Sequence, residues 1–468
     1  STTVPNSFAE NAAIRIPQVG EHQLRVVTPT VLELQRITSG ATDWNFVSSG
    51  ALSAPATSKS TVTANGQPVS VSSVGFRRRV AYGALLVRDL RVDNCLYLTL
   101  GSALPEGATV EVKSADTAII PSNFAFKVTA DALRYSPAIH VNQEGYVPGF
   151  AKKAMIGYYL GSRGELDVDA SAGFRLVDAA TGATVHLGVL TARKDVGYAV
   201  SPLPYQKVLQ ADFTSFKTPG QYMLVVPGLG ASFPFTIDEG VAMAFHRTYA
   251  LGLFHQRCGA ECAMPFTRFT HAACHLLPAE IPSGSGYAYA WSVIAGETGN
   301  AKDNPRHTAP RMMSEGTMLY PFVNKGKIDV SGGHHDAGDY SKYTINVAHL
   351  VHQLAFNADS IAGAKSLDNL GLPNSGDGIS DILQEAKQEA DYIAKMQDTD
   401  GGFYFIVYPR DREYENDVDP GHGYPQVVWP KNTSATAASV AALAQLASSP
   451  KFKAAYPAEA AAYLAKAR

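Results

Sequence analysis

The chain has 468 residues, of which 46% are hydrophobic and 17% charged, and a net charge of -3. That length exceeds what one core usually covers and predicts roughly two to four domains. The near-neutral balance leaves no electrostatic footprint for nucleic acid or an anionic membrane, and no apolar run approaches the roughly 20 residues that span a bilayer.

The chain opens on Ser1 rather than Met and carries no signal-like segment, which reads as a mature or engineered start. Up to residue 136, short runs such as Gln23 to Thr28, Ala84 to Val87 and Leu96 to Leu100 are separated by Gly, Pro, Asn and Ser, the pattern of strands bounded by turns. Residues 1–136 are therefore predicted to form a β-sandwich of unknown role, in which Trp44 suits a packed position better than a sugar platform. Residues 137–238 continue in the same style, ending with Tyr222 to Val226 and Phe233 to Ile237, and predict a second β domain. From Gly240 the period changes. Ala242, Phe245, Tyr249 and Leu253 fall at helical spacing, as do Ile379, Ile382, Leu383, Ala386, Ile393 and Met396. Ser380 or Asp381 suits the start of that second helix, and Gly401 and Gly402 stop the chain after it. Further helices are expected over 345–356, 433–447 and 457–468, so residues 239–468 read as all-α with long loops. Glu385 and Glu389, at i,i+4, read as solvated helix-face charges, and Glu413 and Glu415 as exposed members of an acidic loop.

The run from Ser331 to Tyr340, SGGHHDAGDY, carries the most chemistry. Ala337 and Gly338 add almost no side chain between Asp336 and Asp339, so a tight turn can aim both carboxylates at one water. A carboxylate oriented in this way can act as a general base near neutral pH. The same D-x-x-D spacing also occurs in structural and calcium-binding turns. A second constellation, Cys258, Cys262, Cys274, His275 and His335, suits a zinc ion with N and S ligands, with disulfides as the competing use of the cysteines. Calcium in the acidic loops is a further candidate cofactor, although no stretch matches an EF-hand. Asn432 begins a glycosylation sequon, meaningful only in a eukaryotic source.

The wider segment from Asp329 to Tyr343 resembles the signature of glycoside hydrolase family 9, a family of cellulases and related β-glycanases. Two later blocks resemble it in the same order: Gly378 to Ala386 running into Met396, Gln397, Gly401 and Gly402, then Thr433 to Ala438. Upstream, Ile139 to Pro148 and Phe216 to Leu224 are similar to the immunoglobulin-like domain that precedes many such catalytic domains. The resemblance covers roughly residues 137–468, and nothing before it contributes.

Three domains follow from the resemblance: a β-sandwich over 1–136, an immunoglobulin-like domain over 137–238 and, over 239–468, the first part of an (α/α)6 barrel that stops about halfway round. It implies inverting hydrolysis of β-1,4-linked glucan, polysaccharide or oligosaccharide, with Asp339 as general base and Asp336 holding the same water. An inverting enzyme also needs an acid roughly 6.5 to 9.5 Å away. In the family this is a late Glu that no residue here matches, which raises a second polypeptide completing the barrel as a partner. A branch of the family implies a structural zinc on Cys258, Cys274, His275 and His335, with Cys262 or His271 as substitutes. His334 stands where most members have Trp; with Tyr340, His422 and Trp429 it is a candidate sugar contact, while Trp291 fits core packing equally well. The expected location is secreted or extracellular, the periplasm included. Two other readings stay open: an exo-acting glycosidase or glucosaminidase, to which His334 points, and a non-catalytic glycan-binding protein.

Overall fold

A computed structural model of the chain describes residues 17–39, 43–83, 90–193, 207–281, 319–320, 322–337, 340–361, 363–364, 367–409 and 426–468. The chain divides into two compact units, Ser1–Phe245 and His246–Arg468. The expected strand from Ala84 to Val87 lies outside the described residues.

The first unit holds two β-sandwiches in series. One sheet of the first has the strand order His22–Thr28, Val31–Ser39, Arg91–Leu100, Val71–Tyr82, and the facing sheet the order Phe126–Thr129, Thr109–Lys113, Thr61–Ala64, Gln67–Val69. Period-2 alternation sets the faces: Leu24, Val26, Leu34, Leu96 and Leu98 point inward against Val62, Val110, Val112 and Phe126. Trp44 is 3% exposed in this core, and its indole N–H donates to the Ile119 carbonyl at 2.6 Å. It is a packed residue.

The second sandwich pairs a sheet of Ile139–His140, Lys153–Ile156, Leu209–Asp212 and Leu190–Ala192 with one of Thr184–Gly188, Phe174–Asp178, Gly220–Val226 and Gly230–Ala231. Tyr146, Phe213 and Phe235 meet edge-on or tilted in its core, with ring centroids 5.0 to 5.7 Å apart. Val27, Cys95 and Tyr97 of the first sandwich are buried in the same cluster, so the two β domains share one apolar seam.

In the second unit the described residues form five helices beyond α1 (Gly240–Gln256), which crosses the division between the units: α2 (Thr344–Ser360), α3 (Asp381–Lys395), α4 (Thr433–Ser448), α5 (Pro450–Ala455) and α6 (Pro457–Ala467). Helix α2 packs on α3 and α4, and α4 on α5 and α6, around Val347, Val351, Leu383, Ile393, Leu443, Leu446 and Phe452. Asp381 begins α3 as expected. Its buried carboxylate accepts from the Leu370 N–H and the Ser375 hydroxyl, both at 2.8 Å, which fastens the preceding loop to the helix start.

Two sequence expectations are corrected here. On α1 the buried positions are Ala250 and Phe254, whereas Phe245 and Tyr249 are 50% and 65% exposed; apolar residues occur on several faces of this helix, so spacing alone picks the wrong stripe. The unit is also not purely helical. Lys327–Ile328, Ala279–Glu280, Gln426–Val428, Ile406–Pro409 and Lys342–Tyr343 make a five-stranded sheet, in that order. Strands of two to four residues are too short to show a period in sequence.

Candidate active site and metal centre

The carboxylate turn is held at both ends by backbone pairing. On the entry side the Cys258 N–H donates to the Gly333 carbonyl at 2.7 Å and the His335 N–H to the Gln256 carbonyl at 3.1 Å, docking the run on the end of α1. On the exit side Lys342–Tyr343 pairs with Ile406 and Val407, and α2 starts at once. Within the turn the Asp336 N–H donates to the Ser341 carbonyl at 2.8 Å and the Tyr340 N–H to the Ala337 carbonyl at 3.2 Å. Gly333, at φ +74, makes the entry possible: a Cβ there would lie 2.7 Å from the Tyr392 ring.

Asp336 is exposed, and its Oδ1 accepts from the Asn346 Nδ2 at 3.0 Å, an orienting contact from the first turn of α2. Asp339 lies outside the described residues. The sequence reading missed Asn346; its position seven residues after the second Asp is the only signal that could have found it.

Directly behind the turn, Cys258, Cys274, His275 and His335 converge. All four are buried, and one ligand atom from each lies within 4.8 Å of the others. His335 Nε2 is 3.7 Å from Cys274 Sγ and 3.2 Å from His275 Nδ1. Tetrahedral zinc, with bonds of about 2.3 Å to sulfur and about 2.0 Å to nitrogen, separates its ligand atoms by roughly 3.3 to 3.7 Å, so this donor set fits the ion. The Cys274 thiol, through its hydrogen bond, and the Lys342 ammonium hold the Cys258 thiol well below the usual thiol range, while the same hydrogen bond and burial push the Cys274 thiol up. Lys342 is itself buried. Its Nζ sits 3.3 Å from Cys258 Sγ, donates to the carbonyls of Val330 and Gly332, and lies over the Tyr392 ring at 4.8 Å. Cys262 stands apart, its Sγ against the Phe254 carbonyl, and His271 turns its ring to the Ala272 carbonyl; neither joins the cluster. The four cysteines are free thiols. Among the described residues no carboxylate cluster of the calcium type occurs.

Beneath the turn, the expectation of solvated charges on α3 is overturned. Glu385 and Glu389 are 2% and 0% exposed. Glu385 pairs with the Arg257 guanidinium, and Glu389 Oε1 lies 2.5 Å from His334 Nδ1. The other His334 nitrogen meets the Leu253 carbonyl at 3.1 Å. Burial works to lower the His334 pKa, but the Glu389 carboxylate overcomes this and raises it; burial raises that of Glu389. An i,i+4 carboxylate pair carries no mark of which helix face it occupies, and the cationic partners are distant in sequence. Arg257→Ala would leave the Glu385 charge buried and unpaired, so it is expected to cost about 3 to 5 kcal/mol in denaturant unfolding, whereas an exposed pair would cost under about 1 kcal/mol.

The remaining sugar-contact candidates are placed as follows. Tyr340 is buried at φ +53, its ring 5.2 Å from that of His335 and 5.6 Å from that of His275. Trp429 is 1% exposed and packs with Ile406 and Val427. His422, Trp291, Glu413 and Glu415 lie outside the described residues. Asn432 is 5% exposed and its Oδ1 caps α4 through the Ala435 N–H at 2.7 Å, so its amide is committed to the helix rather than open to glycosylation.

The turn bearing Asp336, backed by a Cys/His cluster, thus lies in a largely helical unit that follows two β-sandwiches in the chain. Comparison with known proteins shows what each part is similar to. Residues 247–468 match the model of glycosyl hydrolase family 9, and residues 134–231 match that of the cellulase N-terminal ig-like domain. It is 26% identical to endoglucanase D of Acetivibrio thermocellus over 355 residues, which covers 75% of this chain and 44% of that protein. It is 27% identical to a xyloglucan-specific endo-beta-1,4-glucanase of Bacteroides ovatus over 268 residues, 57% of this chain and 38% of that one. Among solved structures, a metagenome-derived glycoside hydrolase family 9 endoglucanase matches with a TM-score of 0.52 and 26% identity, over 70% of this chain and 52% of that one. The chain thus spans about half the length of the relatives it matches. No helix among the described residues is long and apolar enough to cross a membrane.

Proposed function

We propose that the chain belongs to an inverting hydrolase of β-1,4-linked glucan in which Asp339 is the general base and Asp336 holds the same water. The observation that carries this reading is the exposed Asp336 carboxylate, oriented by Asn346, on a turn tied to α1 and α2 within the family 9 match. In this mechanism water sits between the two aspartates. Asp339 removes its proton as the oxygen attacks the anomeric carbon, and Asp336 accepts the second hydrogen and fixes the direction of attack. A separate acid protonates the leaving oxygen from the opposite side; no residue described here is assigned that role. The helices α1 to α6 would form an arc of the (α/α)6 barrel, and an extracellular or periplasmic site of action fits a polymeric substrate.

Cys258, Cys274, His275 and His335 would hold a structural zinc. Bound there, the ion would supply a structural tie rather than a reactant. Cys258 and His335 flank the paired segments that dock the turn, so the tie would fix the depth at which Asp336 is presented. No separate observation favours the exo-acting reading, because both nitrogens of His334 face protein groups.

The reading is tested by incubating the chain with cellohexaose and following reducing ends. Release that depends on Asp339 supports it; sugar binding without release would place the chain among glycan-binding proteins.

A further inference from the structure

The first unit carries a feature that hydrolysis at the carboxylate turn does not use, a pocket of about 230 Å³ at the seam between the two β-sandwiches. Val26, Leu104 and Pro105 of the first sandwich and Val225 and Pro227 of the second form its apolar walls. Two arginines reach it: Arg134 from the connector between the sandwiches, and Arg175 from the strand Phe174–Asp178. Period 2 places the second of these. Phe174 and Leu176 are buried in the core, so Arg175 stands on the opposite face of the sheet, in register with Val225 of the neighbouring strand.

Arg134 is pinned by three backbone carbonyls: its Nε donates to Val26 at 2.7 Å, its Nη1 to Asp131 at 2.9 Å and its Nη2 to Gly228 at 2.6 Å. These bonds fix the guanidinium without supplying a counter-charge. Burial depresses its pKa, and the fields of the Asp131 and Glu106 carboxylates offset this only in part. The Arg175 Nε–H is buried with no protein partner. Among the described residues no carboxylate forms an ion pair with either arginine, although Glu106 lines the pocket as an exposed residue.

We propose that this pocket binds a small organic carboxylate. A guanidinium presents parallel N–H donors that match the two oxygens of a carboxylate. One such group is held rigid here and the other is uncommitted, so the site selects negative charge. The apolar walls favour an anion with a hydrocarbon body over a strongly hydrated one such as phosphate, because hydrocarbon gains by leaving water and phosphate loses. Volume sets the size. At roughly 30 Å³ per water-sized group the pocket takes about eight non-hydrogen atoms, fewer than a drug-sized ligand carries. Residues of both sandwiches would touch the ligand, so its binding ties the seam. The inference goes beyond the hydrolase reading and does not depend on it.

The test is saturation-transfer proton NMR of hexanoate with the full chain, using hexanamide, acetate and inorganic phosphate as competitors. Hexanoate is expected to bind with a Kd of about a millimolar, reasonable for a ligand of this size, and to resist displacement by equal concentrations of the other three. Arg175→Gln is expected to weaken binding about tenfold or more, the loss of a charge-assisted contact, with Tm unchanged because the residue is half-buried on the outer face of its sheet. Glu106→Gln removes the competing carboxylate and should tighten binding about two- to fivefold. Should Arg175→Gln lower Tm, the Glu106→Gln variant decides: tighter binding supports the proposal, and unchanged or weaker binding contradicts it. Hexanamide competing as well as hexanoate would reduce the pocket to an apolar cleft, and phosphate competing equally would make it a site for hydrated anions. Either result would overturn the proposal, as would the absence of saturation transfer at about ten times the expected Kd or full binding by a folded Arg175→Gln chain.

Discussion

Asp339→Asn is expected to lower glucan hydrolysis by roughly a hundred- to ten-thousand-fold, the usual contribution of a positioned general base. An amide matches a carboxylate in size and can still accept a hydrogen bond, so the water remains placed, but it cannot take up the proton that the water must lose. Asp336→Asn is expected to be severe with measurable residual activity. Its oxygen would still accept from Asn346, now at 3.0 Å from Asp336 Oδ1, so the turn should keep its shape while the field at the water weakens. Initial rates on cellohexaose measure both. An Asp339→Asn variant within about threefold of wild type would remove Asp339 from the mechanism.

Removal of metal is expected to have the next largest effect. A ligand present at a thousandfold over its Kd stabilises the folded state by about 4 kcal/mol, and for a unit of some 200 residues each kcal/mol moves Tm by roughly 2 to 4 °C. Chelation should therefore lower Tm on the order of 10 °C, and Cys258→Ser should reproduce most of that shift. The loss should reach the site, because Cys258 and His335 are in the two segments whose pairing docks the turn. Dialysed protein is expected to carry about one zinc per chain. Well under one, with an unchanged Tm after chelation, would show that the four side chains pack without an ion.

What the sequence revealed, and what it hid, follows from how local each signal is. The carboxylate pair drew attention because it is contained in four consecutive residues with small side chains between the two acids; the structure describes Asp336, while Asp339 lies outside the described residues. Helices α2, α3, α4 and α6 were legible from period, and their observed limits lie within a few residues of those expected. The Cys/His set was only partly legible: spacing proposed zinc or disulfides, the family resemblance selected four ligands, and the structure brings those four together and leaves Cys262 and His271 apart. Glu389 with His334, and Glu385 with Arg257, could not be read. Each pair joins residues 55 and 128 positions apart, respectively. Nothing in a helix-face carboxylate announces that a cation from another element will bury it. Trp429, a candidate sugar platform by composition, sits in the core, because an aromatic residue beside His and Tyr has the same local pattern whether it faces a cleft or a sheet.

The measurement that tests the central claim most directly is proton NMR of the anomeric signals during the first minutes of cellohexaose cleavage. Water activated by Asp339 on one face, with the leaving group departing from the other, predicts that the α-anomer appears first and mutarotates later. Initial release of the β-anomer would mean a covalent intermediate and a different role for the two aspartates.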